Sequence, residues 1–394
     1  MDATAPAATP DADVLVVGGG IGGLANAYAL ARLGRTVRVL ERAAEFAEVG
    51  AGLQMAPNAT RILREWGLLD RVIEEGVTPR RLVFRDALTG EELTSLDVGA
   101  DFQERYGAPY VVIHRSDLLT ILVDACRDAG VELVPSTSVE DVEPGHAGAV
   151  VVTTAGRQTA DVVLAADGLR STLRAKFSDD EPVASGYVAY RGAFPVSELT
   201  ATLDERAFEE VVVYLGPGCH LVQYPLRRGE IFNTVAVFES PAYRRGEAEW
   251  GGPEELDEVF AGACEPVRRG LASLWRDRRW PMYDRVPIPQ WVQGRLALTG
   301  DAAHPMLQYL AQGACQAIED AHCLAAELDG SGDWDKALDA YQRTRTERTA
   351  RVQTTARTWG DIWHVDGVAR MLRNALFTDR DLADYKYIDW LYAV

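Results

Sequence analysis

Gly18, Gly20 and Gly23 stand in the order Gly-x-Gly-x-x-Gly, and Glu41 follows eighteen residues after the last of them. Each glycine has a mechanical reason in dinucleotide binding. The first makes a tight turn, the second lets a pyrophosphate approach the backbone, and the third lets helix and strand pack closely. A helix N-terminus at that point offers unpaired N–H groups and a partial positive charge to phosphates. A carboxylate at Glu41 would accept hydrogen bonds from a ribose 2′-OH, and it would repel the 2′-phosphate of NADP. Glycine triplets also occur in ordinary turns, so the flanking elements decide. Val14-Leu15-Val16-Val17 reads as a buried strand, Leu24 to Leu33 as a helix, and Thr36 to Leu40 as a second strand ending at the acid.

Two further apolar runs end in acids. Val162 to Ala166 leads into Asp167-Gly168, and Leu296 to Thr299 leads into Gly300-Asp301. Ligands of doubly wound sheets sit beyond the carboxyl ends of the strands, where both aspartates fall. The alternative role for either is a helix N-cap. Beyond Asp301, Gln312-Gly313-Ala314 opens another helix, whose N-terminus could stabilise negative charge on the N1–O2 edge of a reduced flavin. This favours FAD over NAD as the resident dinucleotide.

The elements that must position these residues give an α/β fold: a Rossmann-like FAD-binding domain with an inserted antiparallel-sheet domain and a helical C-terminal segment. Residues 13–77, 108–181 and 288–345 are assigned to the first domain. Residues 78–107 and 182–287, with alternating stretches and many turn residues, form the substrate domain. Residues 346–394 read as helical, with Trp359, Trp363 and Trp390 packing between helices or forming a homodimer face. Residues 1–12 read as a mobile tail without the basic and apolar parts of a secretory signal.

With 394 residues, 47% apolar and 25% charged, the chain has the composition of a folded protein of two or three domains. Its 40 basic and 59 acidic residues give a net charge of −19, which argues against nucleic acid as a partner. No apolar run is long enough for a membrane span. The five cysteines are dispersed without metal spacing, so no metal is expected, and reduced thiols in the cytoplasm are.

GGGIGG with Glu41-Arg42, LAADGLRS around Asp167 and LTGDAAHP around Asp301 occur in that order. With Glu48 to Gln54 and His114 to Leu118 they cover nearly the whole chain, and together they resemble the single-component FAD-dependent aromatic hydroxylases. The resemblance implies the 4-hydroxybenzoate hydroxylase-like fold. It implies that Glu41 binds the adenosine ribose, that Arg42, Gln54 and Arg115 lie along the FAD, and that Asp301 holds its ribityl chain. It also implies that Asp167 serves FAD and nicotinamide together. NADH or NADPH would reduce the flavin, O₂ would add to it, and a flavin C4a-hydroperoxide would deliver oxygen to an electron-rich ring.

A phenolate is far richer in electrons than a phenol, which titrates near pH 10 as tyrosine does, so a partner for the phenolic proton is needed. His220 and Tyr224 are four apart on one strand and share a face. By themselves they would read as a half-buried core pair. Their surroundings, Gly216 to Leu226, resemble the substrate strand of 3-hydroxybenzoate 6-hydroxylases, as does Gln308 in HPMLQY, although Met306 and Gln312 depart from that pattern. His220, Tyr224 and Gln308 are therefore the catalytic candidates. Arg191 is either a substrate-carboxylate partner or half of a structural ion pair. His304 and His114 read as loop- and turn-ordering residues. The expected substrate is a small aromatic acid, 3-hydroxybenzoate converted to 2,5-dihydroxybenzoate. Decarboxylating salicylate 1-hydroxylation and a non-catalytic flavin-binding redox module are the alternatives.

Overall fold

The computed structural model describes residues 10–47, 50–199 and 205–393. Ala12–Val17 is a strand in which Val14, Leu15 and Val16 are fully buried, as an apolar run in a covered parallel sheet must be. It pairs in parallel with Val37–Leu40 on one side and Gly156–Ala165 on the other. The latter pairs in parallel with Leu296–Leu298. Along the carboxyl edge of these four neighbouring strands lie, in spatial order, Asp301, Asp167, Gly18 and Glu41. The sequence scatters these residues, and the sheet brings them onto one rim.

The first strand takes in part of the expected tail. Ala12 is already in the first strand, and the Asp11 N–H donates to the Thr159 carbonyl at 3.0 Å. The edge of the long strand Gly156–Ala165 supplies those backbone partners. The rest of the tail, residues 1–9, lies outside the described residues, as do Glu48 and Val49.

A second, seven-stranded sheet runs in the order Trp280–Asp284, Val183–Pro195, Ile231–Glu239, Cys219–Leu226, Glu210–Gly216, Arg81–Asp86 and Glu92–Asp97. It departs from the expected all-antiparallel form at one place, where Glu210–Gly216 and Arg81–Asp86 pair in parallel. These strands come from separate excursions of the chain, so no hairpin dictates their relative direction.

The register sets the two faces of this sheet. Cross-strand pairing aligns Ala189 with Val237 and His220, Arg191 with Val235 and Val222, and Ala193 with Asn233 and Tyr224. These residues share one face, and its apolar members Val222, Val235 and Val237 belong to the same core as Val14 and Leu164. On the opposite face Val188, Tyr190, Leu221 and Phe238 pack with Leu256 and Phe260 of the helix Pro253–Phe260 and with Val267 of Glu265–Gly270. A one-residue slip would exchange His220 for Leu221 at the inter-sheet face.

The helix Trp334–His364 is continuous, so a boundary drawn at residue 345 falls inside it. Its last two turns carry Trp359, which stacks on Phe377, and Trp363, which stands edge-on to Phe84. Trp390 lies under the Arg351 guanidinium at 4.2 Å. All three tryptophans thus pack within the chain. The following helix, Gly367–Thr378, turns Val368, Met371, Leu372 and Leu376 outward. No helix among the described residues is long and apolar enough to cross a membrane.

Candidate active site

The glycine turn is built to a tolerance that leaves no room for side chains. Gly18 has φ +107°, and a Cβ there would lie 2.4 Å from the Ala166 carbonyl oxygen. A Cβ on Gly23 would lie 1.9 Å from the Gly18 oxygen. Gly20 is the N-cap of the helix Ile21–Ala31, whose first turn has neither an acidic residue nor a side-chain cap, so its N–H groups are left for a ligand. Glu41 folds back over this turn, accepting from the Gly19 N–H at 2.6 Å and the Ala43 N–H at 2.8 Å. Arg42 is exposed beside it.

Asp167 fills the capping role with one carboxylate oxygen and leaves the other open. One carboxylate oxygen caps the next turn, accepting from Thr172 N–H at 3.0 Å and Leu173 N–H at 3.4 Å. The other, Oδ1, is buried with no partner among the described residues. Buried polar atoms are ordinarily satisfied, so this oxygen on the strand rim fits a ligand hydroxyl or amide. Asp301 is exposed on the same rim. Gly313 and Ala314 open the helix Gly313–Ser331, again with no acidic first turn and no side-chain cap. Arg115 begins the helix Arg115–Asp128, with its Cβ 2.7 Å from where a Gly50 Cβ would stand. His114 caps that helix, its side chain accepting from the Ser116 N–H at 3.3 Å. Gln54 lies on the short strand Gly52–Met55, and its amide oxygen accepts from the Tyr110 hydroxyl at 2.7 Å.

A buried charge cluster that sequence reasoning missed holds the Asp301 loop in place. Asp320, fully buried, accepts from the Gly300 N–H at 2.9 Å, contacts His304 Nε2 at 2.6 Å and pairs with Arg345 Nε at 2.7 Å. Burial alone would raise its carboxyl, but the neighbouring His304 and Arg345 charges and the Gly300 bond hold it down at about 2. Arg345 also pairs with Glu319 at 2.5 Å. The available signal was the pair Glu319-Asp320 set among the apolar Ala317, Ile318, Ala321 and Leu324.

On the substrate side, His220 is buried and its Nδ1 lies 2.8 Å from Nε2 of His364, at the end of the long helix. Burial, reinforced by His364, holds the His220 imidazole well below its usual range. Tyr224 packs on Gly52, where a Cβ would meet the tyrosine ring at 2.4 Å. Its hydroxyl is held protonated by burial. Gln308 opens a short turn, and no hydrogen bond joins its side chain to His220 among the described residues. Its neighbour Tyr309 places its ring 5.6 Å from that of His220. Arg191 lies 5.5 Å over the Trp280 ring, and its buried Nε has no partner among the described residues. That removes the structural ion-pair reading for Arg191 Nε. His364 carried no sequence signal, being a lone histidine at a helix end.

The glycine turn, the strand-end acids and the two uncapped helix N-termini together fit a flavin dinucleotide. Residues 11–356 match the model of a family described as FAD binding domain. The chain belongs to this family. It is 39% identical over 388 residues to a 3-hydroxybenzoate 6-hydroxylase of Polaromonas naphthalenivorans, covering 97% of this chain and 96% of that one. It is 41% identical over 389 residues to 3-hydroxybenzoate 6-hydroxylase 1 of Aquipseudomonas alcaligenes, covering 96% and 97%. Among solved structures it is similar to Klebsiella pneumoniae HpxO complexed with FAD and uric acid, with TM-score 0.82 and 28% identity over 93% of this chain and 92% of that one. The chain is therefore an FAD-dependent aromatic-ring monooxygenase, using NAD(P)H and O₂ with its flavin.

Proposed function

We propose that this monooxygenase hydroxylates 3-hydroxybenzoate para to its hydroxyl group, giving 2,5-dihydroxybenzoate, with NADH as reductant. The observation that carries this reading is the set His220, Tyr224 and Arg191 on one face of the second sheet, with Arg191 Nε unpaired among the described residues. A buried guanidinium without a carboxylate favours an anionic ligand, and a benzoate supplies one. The 3-hydroxybenzoate 6-hydroxylases to which the chain is similar support the same substrate.

In this reading residues 13–77, 108–181 and 288–345 hold the cofactor, and 78–107 with 182–287 hold the substrate. Gly18, Gly20, Gly23, Glu41, Arg42, Gln54, Arg115, Asp167, Asp301, Gly313 and Ala314 would bind FAD. Reduced by NADH, the bound FAD would activate O₂ and transfer one oxygen atom to the ring. His220 and Tyr224 hold the phenolic oxygen, and Gln308 approaches it from the Asp301 loop. Arg191 fixes the carboxylate, so hydroxyl and carboxylate together set which ring carbon faces the flavin. Val213, Val222 and Val235 line the same face and exclude water, which would otherwise divert reduced oxygen to H₂O₂.

The test is product identification after incubation of the FAD-loaded protein with NADH, O₂ and either 3-hydroxybenzoate or salicylate. The expected product is 2,5-dihydroxybenzoate from the first. Catechol and CO₂ from salicylate in its place would make the chain a decarboxylating hydroxylase. NADH consumption unaffected by 3-hydroxybenzoate would remove that acid as the substrate.

A further inference from the structure

His220 and His364 come from strands and helices 144 residues apart and meet nitrogen to nitrogen, Nδ1 to Nε2, at 2.8 Å. Both are buried, and burial with the nearby Arg373 charge takes His364 down to about 3, so the pair is neutral. Between two neutral imidazoles only one of the facing nitrogens carries the hydrogen. Were His220 Nδ1 the donor, His364 would carry its own hydrogen on Nδ1, a buried atom with no partner among the described residues. An orphaned buried N–H is rarer and less favourable than a bare acceptor. The favoured arrangement therefore has His364 Nε2–H donating to His220 Nδ1, which obliges His220 to carry its hydrogen on Nε2.

The surroundings keep both rings in this arrangement. The His364 ring stacks on Tyr187 at 4.6 Å with 21° between planes, and its carbonyl accepts from the Gly218 N–H at 2.9 Å. The His220 ring is flanked by Trp363 at 5.1 Å and Tyr309 at 5.6 Å.

We infer that His364 is a positioning residue that locks His220 as the Nε2–H tautomer, so that His220 meets the phenolic oxygen as a hydrogen-bond donor and selects the ionised form of the substrate. The phenol's proton passes to bulk solvent on binding, and His220 keeps its own. The substrate half of this inference rests on the hydroxylase reading above; the tautomer does not.

Long-range ¹H–¹⁵N spectra of the FAD-loaded, ¹⁵N-histidine-labelled protein test it, with only six histidines to resolve and His220 assigned by its loss in H220Q. Wild type should show His220 Nδ1 unprotonated and Nε2 protonated. H364Q, whose amide N–H can replace the donor, should retain that pattern, and H364F, which keeps the stacking on Tyr187, should lose it. A protonated His220 Nδ1 in wild type overturns the proposal.

In the second arm, 3-hydroxybenzoate is titrated into each protein while its phenolate absorbance is followed. H364F should bind the ionised ligand at least tenfold more weakly, with unchanged FAD content and Tm, and H364Q should rescue it. Equal binding by H364F, or equal impairment of H364Q, overturns the positioning role. If wild type binds no hydroxybenzoate at all, the 3-hydroxybenzoate reading fails and the spectra still decide the tautomer.

Discussion

The His304 ring lies 2.6 Å from an Asp320 carboxylate that simultaneously pairs with Arg345 and holds the Gly300 backbone. One buried anion thereby fixes the loop that carries Asp301. Replacing Arg345 by Met leaves Glu319 paired with Arg348 and Asp320 in contact with His304, but removes the buried cation that both carboxylates share, a loss of about 3 kcal/mol. Urea denaturation should show it as a lowered midpoint, accompanied by weaker FAD retention.

The same carboxylate sets an acid limit. Its folded value, about 2, lies below the ordinary 3.8, so its stabilisation is complete above the unfolded value and lost as pH falls toward 2. The depression corresponds to about 2 kcal/mol. Stability of an Asp320→Asn variant should accordingly fall less steeply between pH 4 and about 2 than that of wild type, as followed by thermal melts.

Glu41→Ala removes a charged acceptor from the glycine turn and, in our reading, from the adenosine ribose. Hydrogen bonds to charged groups contribute about 1.5–3 kcal/mol, so FAD should dissociate about 10- to 100-fold more readily. Fluorescence titration of the apoprotein reads this directly, and an unchanged dissociation constant would contradict the ribose role.

For His220→Ala the expected outcome is uncoupling. The phenolic oxygen loses its partner, so product per NADH should drop and H₂O₂ should rise, both measured in one stopped assay. Fully coupled turnover would remove His220 from the chemistry.

Ala311 adopts φ +52° in the loop between Gln308 and Gly313. A side chain in this left-handed region is disfavoured by about 1 kcal/mol. Ala311→Gly should therefore raise Tm slightly, by about 1 °C for a chain of this length, in a melting experiment.

The rim was legible because each of its residues ends an apolar run: Gly18 after Val17, Glu41 after Leu40, Asp167 after Ala166 and Asp301 near Leu298. Periodicity also put His220 and Tyr224 on one face, and pairing through Val237 and Asn233 bears that out. What stayed hidden depends on long-range pairing. Asp320 and Arg345 look like ordinary helix-surface charges until the fold buries them together. The partnership of His220 with His364 has no local pattern, and the parallel seam between Glu210–Gly216 and Arg81–Asp86 depends on where two excursions of the chain meet.

The helix Trp334–His364 carries Arg345 in its first half and His364 at its tip, about 28 Å apart at 1.5 Å per residue. A single stiff rod thus braces the Asp301 loop at one end and His220 at the other. Shortening the chain to residue 345 would sever that brace, so the C-terminal region is a working part of the catalyst and cannot be treated as a dispensable appendage.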